Sequence, residues 1–196
     1  MAREYRVASV CIKPYAVRQA AEWLAGSGVA VGTTVGFPHG GHRTEVKVAE
    51  AERAVADGAA ELDMVVNVGK VLSGDWDYVT ADVRAVVEAA HARGALVKVI
   101  FENCFLQDAH KERLCAVCGE VGADFAKTST GYGDGGATDE DLRLMRRCCP
   151  PHVRVKAAGG VRTFDRVLAV RALGVARVGA TATAAILEEA RRRLGA

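Results

Sequence analysis

Residues 120–128 read Glu120-Val121-Gly122-Ala123-Asp124-Phe125-Ala126-Lys127-Thr128. Glu120 and Val121 close an amphipathic run, Gly122 stops it, Ala123 is a small step, and an apolar run follows with a lysine inside it. A glycine just past the last periodic residue is the usual helix stop, because it enters the left-handed region without steric cost. The same idea recurs in Ala56-Asp57-Gly58-Ala59 and Ala172-Leu173-Gly174-Val175. Each copy hands a helix over to a strand.

Outward from these junctions, strand-like runs fall at Val7–Ile12, Val29–Val35, Glu61–Val66, Leu96–Phe101, Asp124–Thr128, Val153–Ala157 and Ala176–Val178. Each is nearly continuous in its apolar character, the mark of strands covered on both faces in a parallel sheet. Helix-like stretches follow them, at Ala16–Gly26, Arg43–Gly58, Trp76–Arg93, Asp108–Val121, Thr138–Cys148, Thr163–Leu173 and Thr181–Arg193. Thr163 and Asp108 are the expected N-caps, and Gly58, Gly94, Gly122 and Gly174 the expected stops. Successive β-then-α units predict an α/β fold, a TIM (β/α) barrel over 1–196 as a single domain. A barrel of that kind has eight strands, and seven units are visible.

Composition narrows the function classes. The 196 residues are 50% apolar, enough for a sizeable core, and the net charge is only +2. Basic residues are spread along the helices except for Arg191, Arg192 and Arg193, which suit the negative end of a last helix. A nucleic-acid partner is not expected, since such proteins concentrate basic charge on one face. No apolar run is long enough to span a membrane, and no secretory leader follows Met1, so the expectation is a cytoplasmic protein. Six cysteines lie in strand-like and helix-like runs and do not form a disulfide framework. Cys115 and Cys118 form a CxxC. It falls within a helix, which favours half-buried side chains over a redox pair.

Ionisable residues interrupt four strand-like runs: Asp63, Lys98, Lys127 and Lys156. A buried charge without a partner is costly, so each needs a partner or a displaced pKa. The alternative, snorkelling from strand ends, is reasonable for one lysine. Three on consecutive strands, each 29 residues from the next, predict convergence inside a barrel. A lysine attacks a carbonyl only as the neutral amine, and a neighbouring ammonium or desolvation frees it. The iminium so formed is an electron sink for breaking a C–C bond, and Asp63 is the nearby proton carrier. Gly131, Gly159, Gly160, Gly179 and Thr181 lie where the last three strands end, in glycine-rich turns suited to phosphate. Glu102 is either catalytic or the partner that holds Lys98, the second being favoured. His39 and His42 could be metal ligands, but no third ligand is evident and no metal is expected.

The segments Val35–Pro38, Glu61–Asn67, Ser73–Trp76, Lys98–Glu102, Ala126–Gly131, Gly135–Thr138 and Val155–Arg162 together resemble deoxyribose-phosphate aldolase, from about Val7 to about Ile186. The resemblance implies a class I, metal-free aldolase without cofactor, on a TIM barrel, in deoxyribonucleotide catabolism. It would reversibly cleave 2-deoxy-D-ribose 5-phosphate to acetaldehyde and D-glyceraldehyde 3-phosphate. By motif, Lys127 matches the Schiff-base lysine, Lys156 the second lysine that lowers its pKa and shares in proton transfer, and Asp63 the proton-relay carboxylate. Gly131, Gly159, Gly160, Gly179 and Thr181 match the phosphate positions, with Lys98 and Glu102 in support. The implied partners are a sugar phosphate and small aldehydes, with a homodimer as the assembly to expect. The chain departs from the family in Asn103, in Thr181 where serine is usual, and at its start, where the family's first strand and helix have no counterpart. A truncated or mis-started product accounts for this, as does a barrel closed in another way. A class I aldolase with another acceptor, or a sugar-phosphate-binding remnant without turnover, are the alternatives.

Overall fold

The computed structural model describes residues 1–195; Ala196, the last residue of the expected domain, lies outside them. Seven parallel strands follow one another around a single sheet in chain order: β1 (Ser9–Ile12), β2 (Ala30–Val35), β3 (Glu61–Val65), β4 (Leu96–Ile100), β5 (Phe125–Lys127), β6 (Arg154–Ala158) and β7 (Arg177–Gly179). The sheet curls until its ends face each other, and Arg177 Nη1 on β7 donates to Ser9 Oγ on β1 at 2.7 Å. Among the described residues no backbone ladder joins these two edges. Helices α1 (Ala2–Tyr5), α2 (Val17–Leu24), α3 (Thr44–Ala56), α4 (Val68–Leu72), α5 (Trp76–His91), α6 (Asp108–Val121), α7 (Asp139–Cys148), α8 (Phe164–Ala172) and α9 (Thr183–Leu194) fill the connections.

The period of two along each strand sorts its side chains. Leu62 and Met64, Val97 and Val99, Ala126, and Val155 and Ala157 point outward into the core under the helices. The alternate set, Glu61, Asp63, Lys98, Phe125, Lys127 and Lys156, points into the lumen. The outer core is built by helix faces such as that of α5. Its buried Val79, Val83, Val86, Val87 and Ala90 recur at helical spacing, each valine contributing roughly 1.5–3 kcal/mol by leaving water. Asp75 caps that helix by accepting from the Tyr78 amide at 3.3 Å.

The seven expected strands and seven expected helices are all present. Thr163 caps α8 as expected, accepting from the Arg166 amide, and Gly58, Gly94, Gly122 and Gly174 all have positive φ. The cap of α6 is Gln107 rather than Asp108: Gln107 and His110 form a reciprocal capping box, and Asp108 begins the helix. Two short helices went unforeseen. Of these, α4 is too brief to show a period and is set by Asn67 accepting from the Lys70 amide. Cys115 and Cys118 are fully buried on α6.

The loop after β2 is pinned from below. Lys47 is wholly buried on α3, and its ammonium donates to Val65 O at 3.0 Å and to Asp82 Oδ2 at 2.6 Å. Glu50 accepts from the Gly36 amide at 2.8 Å. Gly40, at φ 67°, lies so close to β3 that a Cβ there would stand 1.8 Å from Val66 O. Gly74, at φ 73°, has open space around it. Gly74→Ala should therefore cost only the left-handed backbone penalty of about 1–2 kcal/mol. Gly40→Ala should cost at least about 2 kcal/mol more, because backbone must move; urea midpoints of the two variants test the difference.

Candidate active site

Asp63 is the hub. Lys98 Nζ donates to its Oδ1 at 2.7 Å, and Lys127 Nζ and Lys156 Nζ both donate to its Oδ2, at 2.7 and 2.6 Å. Asp63 is 0% exposed, Lys98 1%, and Lys127 and Lys156 5% each. The strand-end snorkelling alternative is thereby excluded. The register explains the meeting: Asp63 pairs with Lys98 across β3 and β4, and Lys127 with Lys156 across β5 and β6. Lys98 pairs with Phe125, and Ile100 with Lys127, so Lys98 lies two residues deeper than the other lysines. Equal sequence spacing did not mean equal height, because β4 and β5 differ in register.

A second layer lies beneath. Lys98 Nζ also meets Glu61 Oε2 at 2.8 Å, and Glu61 takes Arg177 Nη1 at 3.0 Å. The guanidinium carbons of Arg154 and Arg177 lie 3.9 and 5.6 Å from the Phe125 ring centroid. Glu61 and Arg177 were missed in the sequence. The signal for Glu61 was its spacing of two from Asp63, which places it on the same strand face.

Four basic side chains thus meet two carboxylates in the lumen. Burial by itself would raise the Asp63 carboxyl, but the Lys127, Lys156 and Lys98 ammonium groups outweigh it and hold the carboxyl far below the usual range. Burial is likewise the largest influence on Glu61, and the Lys98 and Arg177 contacts reverse it, so this carboxyl is also lowered. Lys156 moves the other way for a base. Burial pushes its ammonium below the usual lysine value, the Asp63 charge opposes this, and the Lys127 and Lys98 charges add to it.

Glu102 does not hold Lys98, the role favoured for it in the sequence. Its carboxylate accepts from the Thr130 amide at 3.1 Å and from the Thr130 hydroxyl, while Lys98 is satisfied by Asp63 and Glu61. The chain turns at Glu102, φ 58°, and so aims the side chain across to the loop after β5 rather than down to Lys98. That loop is tight: a Cβ on Gly136 would meet the Gly159 carbonyl at 2.7 Å, and the Ala137 amide donates to Gly159 O at 3.1 Å. The turns carrying Gly131 and Gly159–Gly160 are therefore joined, and Gly179 is in register with Ala158 beside them. Gly131, Gly160 and Thr181 are exposed at the C-terminal ends of β5, β6 and β7, the end where barrels bind their ligands. His39 and His42 are exposed on the loop after β2, and no cluster of three or more potential ligands for a metal occurs among the described residues.

The model of the DeoC/LacD family aldolases matches residues 2–186. The chain belongs to this aldolase family. It is 58% identical over 195 residues to the deoxyribose-phosphate aldolase of Rhodopirellula baltica, spanning 100% of this chain and 81% of that one. Identity to the deoxyribose-phosphate aldolase of Thermococcus gammatolerans is 49%, over 96% of this chain and 84% of the relative. Among solved structures, an aldolase called QR15 superposes with TM-score 0.92 at 35% identity, over 98% of this chain and 85% of that one. The deoxyribose phosphate aldolase of Aeropyrum pernix superposes with TM-score 0.89 at 29% identity, over 97% and 80%. The TIM-barrel reading of the curled sheet stands with these neighbours.

Asp63→Asn leaves the buried ammonium groups without their shared anion and should cost roughly 3–5 kcal/mol at neutral pH. The Asp63 carboxyl is lowered on folding, so its contribution is complete above the unfolded value near pH 4 and is lost as pH falls through the folded value. The difference between wild type and variant should therefore shrink in acid, as read by denaturant midpoints from pH 7 downward.

Proposed function

We propose that this chain is a Schiff-base aldolase that reversibly cleaves 2-deoxy-D-ribose 5-phosphate to acetaldehyde and D-glyceraldehyde 3-phosphate, with Lys127 as the nucleophile. The observation that carries the reading is a single oxygen, Asp63 Oδ2, shared by Lys127 and Lys156 at 2.7 and 2.6 Å. Family membership and the relatives' printed activity support the substrate.

In this reading Lys156, which burial and neighbouring charge hold toward the neutral amine, has a free lone pair and takes the Lys127 proton through their common contact. The neutral Lys127 amine adds to the C1 aldehyde, and loss of water leaves an iminium. Lys156, having returned its proton to the departing water, takes the proton of the C3 hydroxyl as the C2–C3 bond breaks and its electron pair flows to the iminium nitrogen. D-Glyceraldehyde 3-phosphate departs and an enamine remains on Lys127. Protonation at C2 by the Lys156–Asp63 pair, then hydrolysis, releases acetaldehyde and restores the amine. Lys98 neutralises the other Asp63 oxygen and holds the carboxylate in place. Phosphate is received by the turns at Gly131, Gly159, Gly160, Gly179 and Thr181, where backbone amides are exposed without side-chain cover.

The same reading carries action in the cytoplasm and a homodimer, for which exposed Tyr15 and Trp23 supply apolar surface. No helix among the described residues is long and apolar enough to cross a membrane.

Borohydride in the presence of acetaldehyde should trap an adduct on the wild-type chain and none on Lys127→Ala; trapping at the wild-type level in that variant removes Lys127 as nucleophile. Lys156→Leu should slow trapping at neutral pH by about tenfold or more, the scale of general acid–base assistance. The rising limb of its pH–rate profile should move to higher pH, since the proton acceptor is gone. An unchanged profile rules out that role for Lys156.

A further inference from the structure

The phosphate turns of the proposed site contain amides and one hydroxyl but no formal positive charge, although a sugar phosphate brings up to two negative charges. Arg162 is the cation nearest in sequence, on the loop after β6. It lines a separate recess with Asp165 and Glu189, beside α8 and α9. The lumen lysines are committed to Asp63 and Glu61. A counter-cation has to come from elsewhere on the rim.

Lys13 stands at that rim. It follows β1 directly, is exposed, and has no carboxylate partner among the described residues. Its Nζ lies 5.8 Å from the Tyr132 ring centroid. The same ring meets Phe37 edge-on at 5.2 Å. β1 and β5 are separated in the sheet by three strands, so a contact between the loops that follow them runs across the mouth and not along the wall. Tyr132 comes right after Gly131, and Glu102 fixes the turn through Thr130.

β1 and β7 face each other across the seam, where Arg177 reaches Ser9 at 2.7 Å. The loops that follow them, which carry Lys13 and Thr181, leave the same end of the sheet. Lys13 stands beside the Gly131 turn through its contact with Tyr132.

We propose that Lys13 is the cation that selects the phosphorylated substrate, held over the mouth by the Tyr132 ring until the phosphate takes its ammonium. This rests on the reading of a sugar phosphate as substrate. In the free protein the ammonium rests on an aromatic face, a weak partner at an exposed site. A phosphate replaces it with a charge-assisted hydrogen bond, which is stronger.

Titration calorimetry of the full chain with inorganic phosphate at low ionic strength tests this in wild type, Lys13→Gln and Lys13→Arg. Lys13→Gln should weaken phosphate about tenfold, as loss of one charge-assisted contact does, and Lys13→Arg should recover most of it. The preference for 2-deoxy-D-ribose 5-phosphate over 2-deoxy-D-ribose, read as the ratio of the two kcat/KM values, should fall by a similar factor in Lys13→Gln. Three results overturn the proposal: no phosphate binding by wild type, an affinity unchanged in Lys13→Gln, or a loss of kcat/KM shared equally by both sugars. A wild-type chain that traps no aldehyde defeats the aldolase reading instead, and the phosphate titration still decides the role of Lys13.

Discussion

Three ammonium groups held by one buried carboxylate is the constraint from which the rest of the molecule follows. Lys98, Lys127 and Lys156 reach Asp63 from three strands, and none is more than 5% exposed. Such a cluster exists only if the sheet curls, because in a flat sheet β3 and β6 stand too far apart for side chains to meet. The curl in turn requires the outward faces to be small and apolar, as Ala126, Val155 and Ala157 are, so that helices can wrap them. Lumen chemistry and outer packing are thus two faces of the same alternation.

A second buried lysine shows why burial alone does not mark function. Lys47 is as buried as any lumen residue, yet it has its own carboxylate, Asp82, and a carbonyl besides. One cation meets one anion there, Thr44 occupies the remaining carboxylate oxygen, and the result is a strut under the loop after β2. In the lumen, cations outnumber anions; burial sets Lys156 below its ordinary value, and the Lys127 and Lys98 charges add to it against Asp63. Burial joined to surplus charge, rather than burial alone, separates a site that can move a proton from one that cannot.

Much of this was legible in the sequence. The Gly122-Ala123 type of junction located the returns after α3, α5, α6 and α8, since the left-handed stop is a local requirement, while α7 ends at Cys149 without a glycine. The lysines and Asp63 stood out because charge inside an apolar run has no cheap structural explanation. Partnership was harder to read. Glu102 and Lys98 are near in sequence, but the backbone at Glu102 turns into the left-handed region and sends the carboxylate to Thr130. Arg177 pairs with Glu61, 116 residues away, and no local pattern announces such a pair. Register between β4 and β5 was equally hidden, because it depends on how the sheet shears as it closes.

The two layers of the lumen divide the work by height. The lower one, Glu61 with Lys98 and Arg177 around Phe125, is closed: both cations share the Glu61 carboxylate, and Arg177 extends the network to Ser9 across the seam. It links β1 to β7 where, among the described residues, no backbone ladder joins them. The upper layer, Lys127 and Lys156 on a single carboxylate oxygen, is left with surplus charge and faces the glycine turns. A carbonyl entering from that end meets the amines before it meets any neutralised pair. An exchange of the layers would put the surplus charge at the bottom of the barrel, beyond reach of a carbonyl entering from the rim. The order of lumen-facing residues along each strand, Glu61 before Asp63 and Phe125 before Lys127, is therefore what the proposed chemistry requires, and strand direction sets which of them faces the rim.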